Sequence, residues 1–257
     1  MRCRSTPSSP VSVSGGDFAG VSQSSGCCRS WVTRAGIFST SAPTGASTRS
    51  ARCATSENVI AAEANPGMAA DLRRIIRRNN QVLPVAMSDQ VGETVLHIPT
   101  EDGHDVNTRC SVQADANPGL ELRTVTVPTT TIDELGLQQI AVIKIDVEGH
   151  ELAVLRGGMG TLRRSGPTCI VESEDRHNAG GVAQTFDFFD ALGYNSYFLH
   201  RGALRKGADY DVTALQRPEN AKSVGGGRSA DYVNNFVFIH RENTTHLDRV
   251  RAAFSMP

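Results

Sequence analysis

The sequence predicts an α/β protein with a mostly parallel, Rossmann-like sheet, helices on both faces and an antiparallel hairpin at its end. Short β-branched apolar runs alternate with segments of helical period from residue 59 onward. Several of these runs end at acidic or polar residues, which is where open α/β sheets hold their ligands. The chain has 257 residues, enough for one ordinary domain with a substantial core.

Residues 1–56 differ in composition from the remainder of the chain. They are rich in Ser, Thr, Arg, Gly and Ala, and Asp17 is their only acidic residue. Because such a composition buries too little apolar surface to offset the entropy of ordering a chain, we expect this segment to be disordered. A transit peptide is an alternative, but the many glycines fit it poorly.

Local signals predict the first strand and helix of the domain, which we place at residues 57–243. Residues 59–62 form a short apolar run that ends at Glu63. Asn65 is a favoured helix N-cap residue, and Pro66 is favoured in a first helical turn. An apolar stripe at helical spacing follows, formed by Met68, Leu72, Ile75 and Ile76.

Two more strands and a polar segment are predicted next. Residues 82–87 form a strand pattern that ends at Ser88 and Asp89, and residues 93–98 form another. The stretch of residues 100–119 is polar and has few apolar anchors. We therefore expect it to be an exposed insertion.

The middle of the chain returns to the alternation of strands and helices. Residues 122–127 are predicted to form a strand, and a short helix is expected to begin at residues 131–135. A buried, β-branched strand then spans residues 141–145. The apolar stripe of a helix follows it, formed by Leu152, Leu155, Met159 and Leu162.

The last elements include another strand that ends in an acid. Residues 168–171 form an apolar run that ends at Glu172. Phe186, Phe189 and Leu192 give a helix stripe, with Gly193 at the C-cap position. The remaining segments are two strands that close the sheet as a hairpin and a C-terminal tail, at residues 194–199, 234–239 and 244–257.

The strongest functional signal lies just after the buried strand of residues 141–145. Asp146 and Glu148 follow the strand end, and His150 and Glu151 come next. Crowded carboxylates are costly unless they bind a cation, share a proton or accept hydrogen bonds, so this cluster is a candidate site. Glu151 is instead expected to stabilise the N-terminus of the following helix.

A family resemblance rests on seven segments of the chain: residues 59–66, 85–89, 131–135, 143–151, 154–158, 170–172 and 235–238. On these segments the chain resembles the FkbM-type methyltransferases, a family of S-adenosylmethionine-dependent enzymes with the class I methyltransferase fold. The resemblance spans roughly residues 57–240. It implies transfer of a methyl group from S-adenosylmethionine to a hydroxyl of a sugar or small metabolite.

The resemblance also implies where the cofactor binds. Glu63, at the end of the second strand of the family fold, would accept hydrogen bonds from the ribose hydroxyls, with Asn65 beside it. Ser88 and Asp89 would lie by the adenine. Each of these residues also has a purely structural interpretation. Glu63 could be a solvated loop acid, Asn65 a helix cap, and Ser88-Asp89 an ordinary turn pair.

Methylation of a hydroxyl requires alignment of the acceptor and removal of its proton. The catalytic candidates are four residues that follow neighbouring strand ends: Asp146, Glu148, His150 and Glu172. Asp146 or Glu148 could act as general base. Alternatively, the two could hold a divalent cation, with His150 as a third ligand or base.

One part of the family pattern is missing. The family begins with a strand and a glycine-rich turn of the form Leu-Asp-Val-Gly-Ala-Asn-x-Gly, expected roughly 20 residues before Glu63. Residues 38–46 instead contain Phe-Ser-Thr-Ser-Ala-Pro-Thr-Gly-Ala. In a reading frame that starts at the third base of each of these codons, the possible codons include one for every residue of the motif. We therefore hypothesise that residues 1–56 are an out-of-frame translation of the start of the domain.

Two alternatives to an active enzyme follow from this departure and from the sheet. A chain without the glycine turn would be an inactive methyltransferase remnant that does not bind the cofactor. A dinucleotide-dependent oxidoreductase would need a GxGxxG turn before Glu63, which this sequence lacks.

Overall composition excludes several other classes of function. The net charge is −1 and the sequence pI about 6.7, which argues against electrostatic binding to nucleic acid or membranes. The sequence contains no apolar run near the roughly 20 residues that span a bilayer and no signal-peptide pattern, so we expect a cytoplasmic protein. The six cysteines form no CxxC pair, so they indicate neither a zinc site nor a disulfide framework.

Overall fold

The computed structural model describes residues 36–40, 58–76, 80–117, 119–221 and 231–254. Most of the segment expected to be disordered lies outside these residues. The glycine run 225–227, which the sequence predicts to be a flexible loop, also lies outside them. Among the described residues, every helix is too short or too polar to cross a bilayer.

Twelve strands form two sheets within the described residues. In chain order they are β1 (Gly36–Thr40), β2 (Asn58–Ala62), β3 (Gln81–Leu83), β4 (Ala86–Met87), β5 (Gly92–Glu101), β6 (His104–Asp105), β7 (Glu121–Thr130), β8 (Val142–Ile145), β9 (Thr168–Glu172), β10 (Tyr194–His200), β11 (Ala203–Lys206) and β12 (Asn235–His240).

Seven α-helices connect or flank these strands in the described part of the chain. They are α1 (Pro66–Ile75), α2 (Glu151–Arg156), α3 (Met159–Ser165), α4 (Gly181–Ala191), α5 (Val212–Leu215), α6 (Pro218–Ala221) and α7 (Thr244–Phe254). The last helix occupies the region that the sequence analysis assigned to a tail. Single 3-10 turns lie at Asn107–Arg109 and Gly207–Asp209.

The larger sheet has eight strands in the order β11-β10-β12-β9-β8-β1-β2-β3. Only the pairs β2–β3 and β8–β9 are parallel, and the other five pairs are antiparallel. The α/β class is therefore confirmed, whereas the sheet is mixed and not mostly parallel. Antiparallel pairing of β10 with β12 agrees with the predicted closing hairpin.

The direction of β1 accounts for much of this mixed character. Phe38 pairs with Ile60 of β2 and with Ile143 of β8, and both pairings are antiparallel. Since β2 and β8 both oppose β1, they run in the same direction. Strands β3, β2, β8 and β9 thus share one direction, and β1 alone interrupts them. Apolar patterning does not encode strand direction, so the sequence could not reveal this reversal.

The second sheet has the order β4-β7-β5-β6, and β5 pairs with β7 along nine registered residue pairs. It has its own small core of Ala86, Leu96, Ile98 and Val127. The single strand predicted at residues 82–87 is in fact divided between the two sheets. Pro84 separates β3 from β4, which is expected because proline cannot donate a hydrogen bond to a sheet ladder.

Several helix signals of the sequence are confirmed. The Asn65 side chain caps α1 by accepting the backbone N–H groups of Gly67 and Met68. Gly193 follows α4 with a left-handed φ of +82°, a conformation that glycine adopts without strain. In contrast, residues 132–136 form turns and not the expected short helix.

Candidate active site

The ends of β2 and β8 place two acids beside the same small cavity. Because these strands run in the same direction, their carboxyl-terminal ends lie at one edge of the sheet. Glu63 and Asp146 both line a cavity of about 50 Å³ there and are buried, with 6% and 3% of their surfaces exposed. This volume is far below the roughly 300 Å³ of a small-molecule pocket, so the cavity by itself is too small to enclose a small-molecule ligand.

Glu172 joins this edge because β9 runs parallel to β8. One carboxylate oxygen from each of Asp146, Glu148 and Glu172 lies within 4.8 Å of the others. The Lys144 ammonium is 3.4 Å from Asp146 Oδ2 and 3.9 Å from Glu172 Oε2, and it donates to Asn235 Oδ1 at 3.0 Å. The structure therefore brings together three of the four predicted catalytic residues.

The turn after β8 holds Glu148 in an unusual backbone conformation. Glu148 has φ +51° and Gly149 has φ +101°, both in the left-handed region. A side chain at Gly149 would also crowd His177, because an added Cβ would lie 3.1 Å from the His177 Cβ. The Ser111 hydroxyl donates to the Glu148 carbonyl at 2.8 Å and so stabilises this turn. Left-handed non-glycine residues are strained and are frequent at functional sites.

The buried side chain of Glu151 stabilises the same turn. Its Oε1 accepts the Gly149 N–H at 2.9 Å, and the residue begins α2. Burial raises the pKa of Glu151 to about 7, although the hydrogen bond from Gly149 opposes this shift. The expected role at the start of the helix is consistent with this position.

His150 lies with the predicted adenine-side residues and outside the group of three carboxylates. Its Nδ1 is 3.1 Å from Gln113 Nε2, and its Nε2 is 3.0 Å from Ser88 Oγ. Since an amide nitrogen only donates, Nδ1 accepts and the neutral ring carries its proton on Nε2, which donates to Ser88. Ser88 in turn donates to Asp89 Oδ1 at 3.2 Å. Burial lowers the pKa of His150, which favours this neutral ring.

Glu63 and Asn65 form a compact turn at the end of β2. Glu63 Oε1 accepts the backbone N–H of Asn65 at 2.7 Å. The Asn65 side chain caps α1 through its oxygen, and its amide nitrogen donates to Asn107 Oδ1 at 3.0 Å. Asn65 therefore has a clear structural role, whereas the Glu63 carboxylate lies at the cavity wall.

A polar network that no sequence pattern predicts lies beyond Glu172. Asn234 donates to Glu172 Oε1 at 2.6 Å and to Glu174 Oε1, and Tyr232 donates to Glu174 Oε2 at 2.6 Å. Burial raises the pKa of Glu174, but hydrogen bonds from Arg176, Tyr232 and Asn234 outweigh it and lower this pKa overall. No motif marks these residues, because strand β12 joins them to β9 from some 60 positions away in sequence.

Two expectations about polar loops are wrong. The sequence predicts that His177, an isolated histidine on a polar loop, is solvated. Its side chain is instead only 5% exposed and contacts Glu148. The segment expected to be an exposed insertion contributes Asn107, Cys110, Ser111 and Val112 to the cavity wall. Its few apolar residues, together with an isolated bridge between Ser111 and His97, hold it against the second sheet.

A match to a family profile shows which protein family the chain belongs to. The family profile described as "Methyltransferase FkbM domain" matches residues 40–201, which is more than half of the chain. The chain belongs to the FkbM methyltransferase family. The FkbM match includes every predicted site residue from Glu63 to Glu172.

A solved structure of another FkbM methyltransferase, from Methylobacillus flagellatus KT, is similar to this chain at 12% identity and a TM-score of 0.44. The similarity covers 71% of this chain and 36% of that one. A comparison with curated proteins gives no match.

Proposed function

We propose that this FkbM methyltransferase transfers a methyl group from S-adenosylmethionine to a hydroxyl of a sugar or small metabolite. One observation carries the proposal: within the matched domain, Glu63 and Asp146 face one cavity from the ends of two strands that share a direction. In open α/β sheets this edge is the place where ligands bind.

The residues on the β2 side fit a nucleoside cofactor. Glu63 is a buried carboxylate at a strand end and offers acceptor oxygens to ribose hydroxyls. Ser88 and Asp89, at the end of β4, would contact the adenine, with the His150 ring fixing Ser88. S-adenosylmethionine, when bound, supplies a methyl group on a cationic sulfur.

The residues on the β8 and β9 side would handle the acceptor. Asp146 is the leading general base, because it is buried beside the cavity and anchored by Lys144. Glu148 and Glu172 would accept hydrogen bonds from further hydroxyls, an arrangement suited to a polyhydroxylated acceptor. Holding base and acceptor hydroxyl in one geometry lowers the entropic part of the barrier.

Calorimetry of the full chain with S-adenosylmethionine tests the proposal. We expect saturable binding that Glu63→Gln weakens and Asp146→Asn leaves intact, since of these two residues only Glu63 is placed at the cofactor. Methyl transfer from labelled cofactor to a panel of sugars should then disappear in Asp146→Asn. If the chain takes up no cofactor, it is the inactive remnant, which membership of the methyltransferase family does not favour.

A further inference from the structure

Three carboxylates, one buried and two half-buried, meet at the acceptor side of the site. Asp146 ends β8, Glu148 lies in the strained turn after it, and Glu172 ends β9. Their side chains are 4%, 9% and 14% exposed, and one oxygen from each lies within 4.8 Å of the others. Carboxylates held this close repel one another and are stabilised by nearby cations; Lys144 lies by Asp146 and Glu172, and Arg176 Nη2 lies 3.7 Å from Glu148 Oε2.

The spacing of these oxygens is close to the spacing that a hard divalent cation requires. Mg²⁺ binds oxygen ligands at about 2.1 Å in an octahedron, so neighbouring ligand atoms are about 3 Å apart and opposite ones about 4.2 Å. Mn²⁺ also prefers carboxylate ligands and accepts imidazole nitrogen more readily than Mg²⁺ does. The three carboxylate oxygens lie within 4.8 Å of one another, so modest side-chain rotation would bring them to the distances that such an ion requires.

A second and independent observation comes from His177. Its side chain is 5% exposed, and neither ring nitrogen makes a hydrogen bond within the described part of the chain. The Nε2 atom lies 2.9 Å from Glu148 Oε2, but this contact lacks the angle of a hydrogen bond. A buried polar atom without a hydrogen bond costs about 1–3 kcal/mol and often marks the place of an ion or water.

We propose that Asp146, Glu148 and Glu172 bind one divalent cation of the Mg²⁺ and Mn²⁺ class, with His177 facing the ion or one of its water ligands beside Glu148. The proposal extends the proposed function, since the ion would lie where the acceptor hydroxyl must be activated. A cation there would lower the pKa of the acceptor hydroxyl and orient it toward the methyl donor, while the second, unligated oxygen of Asp146 would remain the general base that takes the hydroxyl proton. Cation binding itself rests on the geometry alone and is measurable without the acceptor.

Lys144 is the natural competitor of this cation. Its ammonium lies 3.4 Å from Asp146 and 3.9 Å from Glu172, and it keeps a 3.0 Å hydrogen bond to Asn235. A positive charge so close to two ligands repels an incoming cation. Lys144→Met should therefore tighten cation binding if the site exists.

Titration of the chelator-treated full chain with MnCl₂, followed by electron paramagnetic resonance of the free ion, tests the proposal. We expect one Mn²⁺ per chain, displaced by excess MgCl₂. Loss of a ligand in Glu148→Gln or Glu172→Gln should weaken binding at least about tenfold, and His177→Gln by about tenfold. Circular dichroism of each variant checks that the fold is retained. If a variant does not fold, the wild-type titration alone tests whether the chain binds the cation.

Two variants serve as matched controls. Glu151→Gln changes a buried acid on the same turn and keeps an oxygen for the Gly149 N–H. At pH 6, where the wild-type carboxyl group is mostly protonated, it should leave the Mn²⁺ affinity unchanged. Glu63→Gln should weaken binding of S-adenosylmethionine without altering that of Mn²⁺.

Three results would overturn the proposal. They are a wild-type chain that takes up no Mn²⁺, binding that survives both ligand substitutions, and binding that appears only in Lys144→Met. The last result would make Lys144 the resident counter-ion of the carboxylates. Calorimetry with S-adenosylmethionine remains a separate readout, so cofactor binding without Mn²⁺ binding would reject the metal site alone.

Discussion

Glu151 shows how burial changes the chemistry of a single residue. It is 7% exposed at the start of α2, and its carboxyl group accepts the Gly149 N–H. Burial penalises the charged form and raises its pKa from 4.5 to about 7. Because the folded chain then holds this proton more tightly than the unfolded chain, folding stability falls as the pH rises between these two values.

Replacement of Glu151 by Gln should remove this pH dependence. The wild type is expected to lose about 3 kcal/mol of unfolding free energy from this group between pH 4.5 and pH 7, at about 1.4 kcal/mol for each pH unit of the pKa difference. The amide keeps the acceptor for Gly149 but does not ionise. Urea unfolding of both proteins at pH 5 and pH 8 checks this, and parallel losses in the two proteins would contradict it.

At the scale of elements, the junction of α2 and α3 is fitted against the end of β4. A Cβ added at Gly157 would lie 2.1 Å from the Ser88 carbonyl oxygen, and one at Gly158 would lie 2.8 Å from the Ile132 side chain. The Gly157 carbonyl also accepts the Asp133 N–H at 3.0 Å. This close approach places Ser88 within reach of His150, so the packing of the helices supports the adenine side of the site.

Gly157→Ala should therefore destabilise the fold by about 1–3 kcal/mol or more, because backbone and not a flexible side chain must move. Gly67→Ala is the matched control. It lies in the first turn of α1, where an added Cβ would meet only Asn65 Oδ1 at 3.4 Å, and alanine forms helix more readily than glycine. In thermal unfolding, Gly157→Ala should melt at a clearly lower temperature than Gly67→Ala. Equal melting temperatures would show that the backbone at the junction can move without cost.

At the scale of the whole molecule, the central strand β1 is unusual in its direction. Strand β1 lies between β2 and β8, and it is antiparallel to both although they share a direction. A parallel strand in that position would make β3, β2, β1, β8 and β9 one continuous parallel layer. The glycine-rich turn that the family carries after its first strand is missing from the same region of the sequence.

Sequencing the first part of the gene is expected to reveal a shifted frame that encodes the Leu-Asp-Val-Gly-Ala-Asn-x-Gly type of motif opposite residues 38–46. A chain made with that reading should gain affinity for S-adenosylmethionine, because backbone N–H groups of the turn would hold the cofactor. Glu63→Gln in the same chain is the control for binding at the expected site. A gene in which no frame spells the motif would refute the frameshift hypothesis.

The sequence was informative where the signal is local. Asp146, Glu148 and Glu172 were recognisable because each follows a β-branched strand, and Asn65 because a cap precedes an apolar stripe. His177 could not be recognised as buried, since its burial depends on packing against Gly149. The inward position of Ser111 likewise depends on a bridge to His97, which is not visible in a polar segment.

By itself, the sequence determined the α/β class, the family and the acids at the strand ends, because periodicity, caps and a nine-residue motif are properties of neighbouring residues. Only the tertiary structure decided that the sheet is mixed, that His150 turns toward Ser88, and that Tyr232 and Asn234 hold Glu174. These features depend on strand direction and on contacts between distant segments, which are set by the packing of the whole chain.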